Sequence, residues 1–207
     1  MHSIKTLIFT SLQSHPHNFH RKTMIILVIG DLHIPQRKLA IPEQFMSLFA
    51  PGKVHKIFCT GNLCTQDQLK WLKTLCNDIV CVTGDCDESF HDAKESVTVK
   101  VGSFSIGIIH GHQVMPWGDP ERLGAYGREM GVDILISGHT HIPSVATLEG
   151  RLYLNPGSAT GAYSCSETHS QPSFMVLDVK KDQMTVYQYS LKENSEVEVT
   201  QYNHTLI

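Results

Sequence analysis

The chain has 207 residues, 41% of them hydrophobic, and a formal net charge of −3, enough apolar material for one domain with a substantial core. No run of Lys and Arg appears, which argues against general affinity for nucleic acid. No apolar stretch approaches the ~20 residues that cross a bilayer as a helix.

Residues 1–23 contain no acidic residue and are rich in Ser, Thr and His. This composition has some transit-peptide character. Leu7-Ile8-Phe9 is too short for a secretory apolar region, however, and no small-residue cleavage pattern follows. The expectation is a disordered extension ahead of a domain that starts near Met24.

Ile25 to Ile29 is a continuous apolar run stopped by Gly30-Asp31, as in a strand buried on both faces. A short helix is expected between Pro42 and Phe49, then a strand over Lys56–Cys59 ended by Thr60-Gly61-Asn62. Thr65-Gln66-Asp67-Gln68 reads as a capping box, with Leu69, Leu72 and Leu75 behind it on one helical face. Ile79 to Val82 reads as a third buried strand, ended by Gly84-Asp85-Cys86-Asp87. Strands alternating with helices predict a parallel sheet, whose strand ends gather along one edge.

From Ser96 the pattern changes. Ser96–Val101 and Phe104–Ile109 predict a hairpin across Gly102-Ser103. Asp119-Pro120 opens a helix that Gly131 closes. Asp133–Ile136 is a further strand, and hairpins are expected around Glu149-Gly150-Arg151 and between Phe174–Val179 and Met184–Ser190. Residues 193–207 form a tail or final strand. Two packed sheets with helices outside fit this order better than one open sheet.

Five motifs each follow a predicted strand and carry metal-type donors: Asp31-Leu32-His33, Gly61-Asn62, Gly84-Asp85-Cys86-Asp87, His110-Gly111-His112 and Gly138-His139-Thr140-His141. Carboxylate, amide and imidazole donors suit divalent ions such as Zn or Mn. On extended backbone, the spacing within the Asp-x-His and His-x-His pairs would aim both side chains the same way. A metal-free polar network is the alternative reading. The six cysteines (Cys59, Cys64, Cys76, Cys81, Cys86, Cys165) form no C-x-x-C pair, so reduced thiols are expected.

In this order the five motifs resemble the signature of the calcineurin-like metallophosphoesterases. Residues 24 to about 192 are similar, more narrowly, to the small-subunit family of the retromer coat. Gly30-Asp31-Leu32-His33-Ile34-Pro35, Cys59 to Thr65, His110 to Asp119, Ile136 to His141 and Asn155 to Tyr163 carry that likeness. The resemblance implies an α/β fold, a four-layer α/β/β/α sandwich with two packed mixed sheets. It implies a site for divalent metals, Zn or Mn, with Asp31, His33 and His141 on one ion, Asp85, His110 and His139 on the other, and Asn62 where a bridging aspartate belongs.

The departures from the catalytic pattern bear on function. Asn62 and Asp85 exchange the family's Asp and Asn, which weakens the bridge between cations. Cys86 stands where active members place a histidine that contacts phosphate. A thiol, with an ordinary pKa of ~8.5, is a poor donor, and losing a general acid costs about 10²–10⁴ in rate. Asp87, which would orient that histidine, is left with nothing to orient. The implied role is a non-catalytic retromer subunit for endosome-to-Golgi retrograde transport, cytoplasmic and peripheral on endosomes, with no direct membrane insertion. A divalent-metal phosphodiesterase or phosphatase is the alternative.

Met115-Pro116-Trp117 reads either as a contact surface or as core packing. The resemblance makes it the surface for the coat's helical scaffold, vacuolar protein sorting-associated protein 35. The resemblance also implies a second surface, for regulators of small GTPases, at Val176 with Leu27, Tyr187 and Tyr189; the sequence by itself reads these residues as buried between the sheets.

Overall fold

The computed structural model describes residues 23–88 and 93–206. The extension expected over residues 1–23 lies outside these, Thr23 excepted.

Among the described residues, eleven strands and three helices follow one another as β1 (Met24–Ile29), α1 (Glu43–Met46), β2 (Lys56–Cys59), α2 (Gln66–Leu75), β3 (Ile79–Cys81), β4 (Ser96–Val101) and β5 (Phe104–Ile109). Then come α3 (Pro120–Met130), β6 (Ile134–Ile136), β7 (Ser144–Leu148), β8 (Arg151–Asn155), β9 (Ser173–Lys180), β10 (Gln183–Leu191) and β11 (Val197–Thr205). One sheet has the order β11-β10-β9-β1-β2-β3 and the other β4-β5-β6-β8-β7. Both are mixed. β1, β2 and β3 run parallel, with β9, β10 and β11 antiparallel beyond them. β5, β6 and β8 run parallel between two antiparallel edge strands.

Alternation along β1 assigns the layers. Ile26 and Val28 face the second sheet, joining Phe58, Phe104, Ile108, Ile136 and Leu177 in the core between the sheets. Ile25, Leu27 and Ile29 face outward, where Phe45 of α1 and Leu72 and Leu75 of α2 cover them. On the far side, Leu123, Tyr126 and Met130 of α3 pack against Ile109, Leu135 and Tyr153. Helix, sheet, sheet, helix is the four-layer α/β/β/α sandwich.

Local chemistry shapes the elements largely as the sequence predicts. The Asp119 side chain accepts from Arg122 N, Pro120 fills the first turn of α3, and Gly131 ends it in the left-handed region at φ 64°. Two expectations fail. Thr65 makes no side-chain cap on α2; Gln68 N donates instead to its backbone carbonyl at 3.2 Å, so no capping box forms. β3 is half-buried rather than fully buried, because it is a three-residue edge strand with only β2 beside it.

Candidate metal centre

All five donor motifs follow the C-terminal ends of parallel strands: β1, β2 and β3 in one sheet, β5 and β6 in the other. Such ends form one edge of an α/β sheet, where crossovers leave room for ligands. There Asp31, His33 and His141 bring one donor atom each within 4.8 Å of one another, and so do Asp85, His110 and His139. In the first group His33 Nε2 lies 3.2 Å from His141 Nε2, and Asp31 Oδ1 lies 3.4 Å from His141 Nε2. In the second, Asp85 Oδ1 is 2.9 Å from His110 Nε2 and 3.6 Å from His139 Nδ1.

The donors are not aimed by extended backbone. Asp31, His33, His139 and His141 all have positive φ, between 47° and 69°. Simple alternation therefore fails, and His139 and His141 go to different groups. Left-handed conformations at non-glycine residues cost about 1–3 kcal/mol each and persist where the surroundings over-determine them. Here the surroundings are close. A Cβ on Gly138 would stand 2.7 Å from Asp31 Oδ2, and one on Gly84 would overlap Asn62 Oδ1.

Asn62 lies between the groups. Its Nδ2 is 2.9 Å from Asp85 Oδ1, 3.0 Å from His110 Nε2 and 3.3 Å from His33 Nε2. Its Oδ1 accepts from Cys86 N at 2.9 Å, so the amide turns its nitrogen, not its oxygen, toward the donors. Asp87 does have something to orient. Its carboxylate accepts from Asn62 N at 2.6 Å, Cys64 N at 2.8 Å and Gly84 N at 2.9 Å, tying the Asn62 loop to its own.

Hydrogen bonds behind the imidazoles show that these residues suit a divalent cation. His110 Nδ1 lies 2.7 Å from the Thr60 carbonyl, and His141 Nδ1 lies 2.6 Å from that of Ala162. A carbonyl only accepts, so both Nδ1 atoms carry hydrogen, and in the neutral rings both Nε2 lone pairs face the carboxylates. Asp31 Oδ1 is buried without a hydrogen-bond partner. Converging lone pairs with no proton between them repel, and a cation relieves this. Without one, burial opposes charge on His110, but the Asp85 hydrogen bond, the Asp31 and Asp85 charges and the Thr60 carbonyl together outweigh it and raise the pKa. Burial also lowers His33, to about 4, so its imidazole is neutral and free to bind metal at neutral pH.

Cys86 follows Asp85 in the loop after β3. It is half-buried, and burial raises its thiol pKa. Burial pushes Cys64 up to about 12. Among the described residues all six cysteines are free.

Met115, Pro116 and Trp117 are exposed at this same edge, Met115 at 63%, which excludes core packing. The Trp117 ring meets His139 edge-on at 4.6 Å. The four residues expected to bind regulators lie elsewhere. Leu27, Val176 and Tyr187 form a row across β1, β9 and β10. Leu27, Val176 and Tyr189 are at most 2% exposed, leaving only Tyr187 half-exposed. Arg37 also belongs to the metal edge, although no motif marked it; its guanidinium lies over the Tyr163 ring at 5.0 Å.

The calcineurin-like phosphoesterase superfamily domain matches residues 24–182. Vacuolar protein sorting-associated protein 29 (Vps29) of Schizosaccharomyces pombe is 40% identical over 184 residues, covering 86% of this chain and 98% of that protein. Among solved structures, Vps29 of Cryptosporidium parvum superposes with a TM-score of 0.85 at 36% identity, covering 88% of this chain and 98% of that one. Wild-type Vps29 of Entamoeba histolytica complexed with Zn²⁺ superposes with a TM-score of 0.82 at 43% identity, covering 87% and 99%. With the fold, the donor groups and these likenesses together, the chain belongs to the calcineurin-like phosphoesterase superfamily and, within it, to the Vps29 family.

Proposed function

We propose that this chain is a non-catalytic subunit of the retromer coat, docking by its metal-side edge onto the helical solenoid of the scaffold subunit, vacuolar protein sorting-associated protein 35. It would thereby serve endosome-to-Golgi retrograde transport, in the cytoplasm and at the endosome surface. No helix among the described residues is long and apolar enough to cross a membrane, which fits attachment through the complex.

One observation carries this reading. Seven large apolar side chains are exposed among the described residues, and five of them, Leu39, Met115, Trp117, Ile142 and Tyr163, come from the loops at the metal edge. An apolar ring concentrated at one end of a molecule marks an interaction site, and Met and Trp are enriched at interface centres. The donors would hold Zn or Mn, which would supply a Lewis acid there. This chain offers only a weak side-chain proton donor at Cys86. Its thiol stays protonated at neutral pH and lies against Arg37. Tyr187 is the part of the second surface that a regulator can touch.

Met115→Asp tests the docking. Titration calorimetry with the scaffold solenoid should show binding lost while the thermal melt of the variant stays unchanged. Unaltered affinity would overturn the reading. The two complete donor groups favour a second reading, a divalent-metal phosphodiesterase or phosphatase. Turnover of an aryl phosphate with Mn²⁺ at ordinary enzyme rates, abolished by Asp31→Ala, would establish it instead.

A further inference from the structure

Arg37 occupies the loop after β1, its backbone N–H donating to the His33 carbonyl at 2.9 Å. Its guanidinium spans part of the apolar ring. Nη1 donates to the Tyr163 carbonyl at 2.8 Å, and Nη2 points at the Cys86 sulfur at 3.6 Å. Sulfur is a weak acceptor. Among the described residues no carboxylate lies within ion-pair distance of this guanidinium. Each terminal nitrogen carries two hydrogens, so one on each is left for another acceptor.

An unpaired guanidinium is tolerated while water reaches it. Arg37 is half-buried, with exposed Tyr163 of the ring beside it. A partner seated over that ring would displace the water, and burying an unpaired charge is strongly unfavourable. The neighbouring donors add to the demand. Asp31 and Asp85 are the only carboxylates in the two groups, fewer than two divalent cations would balance.

We propose that the partner docking on this face presents an Asp or Glu carboxylate to Arg37, set among the apolar side chains that meet Met115, Trp117 and Tyr163. This rests on the docking reading of the metal-side edge and names the chemistry its partner must carry. The guanidinium, braced against Tyr163, takes the carboxylate through its remaining N–H groups, a charge-assisted contact that fixes orientation as well as affinity.

The test uses the full chain and the scaffold solenoid in titration calorimetry. Arg37→Gln should weaken binding at least tenfold and flatten its salt dependence, and Arg37→Glu should weaken it at least a hundredfold, both with unchanged thermal melts. One acidic-to-Lys change on the solenoid surface should restore binding to Arg37→Glu. If Met115→Asp abolishes binding while both Arg37 variants bind within twofold of the parent, the docking face stands and this inference falls. Loss that no acidic-to-Lys change restores would give Arg37 only a role in positioning Tyr163, and would overturn it too. If Met115→Asp also binds normally, the docking face and the inference fall together.

Discussion

The Asn62 side-chain amide donates to Asp85 Oδ1 at 2.9 Å. The two residues whose types are exchanged relative to catalytic metallophosphoesterases thus satisfy each other directly. Asn62→Asp would set a second carboxylate against Asp85 in place of a donor. With metal chelated, the variant should be about 1.5–3 kcal/mol less stable, the worth of a hydrogen bond to a charged group. With Mn²⁺ present it should recover more stability than the parent gains, since a third carboxylate would then stand between the two donor groups. Paired thermal melts in chelator and in Mn²⁺ check both halves, and equal metal-induced shifts in the two proteins would refute the account.

Gly84 stands where any side chain would collide with Asn62. An added Cβ would overlap Asn62 Oδ1 and lie 2.7 Å from Asn62 N. Gly84→Ala should cost about 1–3 kcal/mol by overpacking and displace Asn62 from between the donor groups. Isothermal titration with Zn²⁺ should show weakened affinity alongside the lower melting temperature. Full metal affinity in the variant would show that Asn62 has no part in the centre.

Phe174 is the aromatic pivot of the outer core. It stacks on Tyr189 at 4.6 Å and 8° between planes, meets Phe45 edge-on at 4.8 Å, and lies 4.9 Å from Phe49. Phe174→Ala should destabilise the fold by about 3–5 kcal/mol. Met46→Ala, at an exposed position in α1, should change stability by no more than about 0.5 kcal/mol. Denaturant unfolding of the two variants makes the comparison.

Burial raises the Tyr189 pKa to about 12, whereas in the unfolded chain the phenol ionises near its ordinary value of ~10. The folded state therefore keeps this proton longer than the unfolded one. The stabilisation from the neutral phenol is complete below pH ~10 and is lost as pH rises through about 12. Burial also raises Tyr153 and Tyr187, so absorbance at the phenolate band should show a late step to which Tyr189 contributes. Tyr189→Phe should reduce that step and lessen the fall in stability across the same interval. A phenol that titrates with the exposed tyrosines would mean the ring is not held as described.

Much of this architecture was legible because it is locally encoded. The Gly102-Ser103 hairpin appears as read, and so does the helix from Pro120 to Gly131, since turn and cap chemistry act over three or four residues. The donor motifs were legible for a similar reason, each being a glycine-bracketed strand end. Three-dimensional context decided the rest. The Thr65 hydroxyl has the right sequence spacing for a cap, but a backbone carbonyl took its place. Asp87 could not be assigned to the backbone N–H groups of Asn62 and Cys64 from sequence, because that contact spans two loops. Arg37 sits in no motif; its place depends on Tyr163, 126 residues away in the chain. Met115 had two equal readings until its exposure separated them.

Each donor group draws on both sheets: Asp31 and His33 follow β1 and His141 follows β6, while Asp85 follows β3 and His110 and His139 follow β5 and β6. A captured ion would therefore act as a rivet through one end of the sandwich. The layers would keep freedom to slide only at the opposite end, where Thr23 leads into β1. Ion capture would then stiffen the very loops that hold Leu39, Met115, Trp117, Ile142 and Tyr163, so a docking partner would meet a rigid rim instead of having to order one.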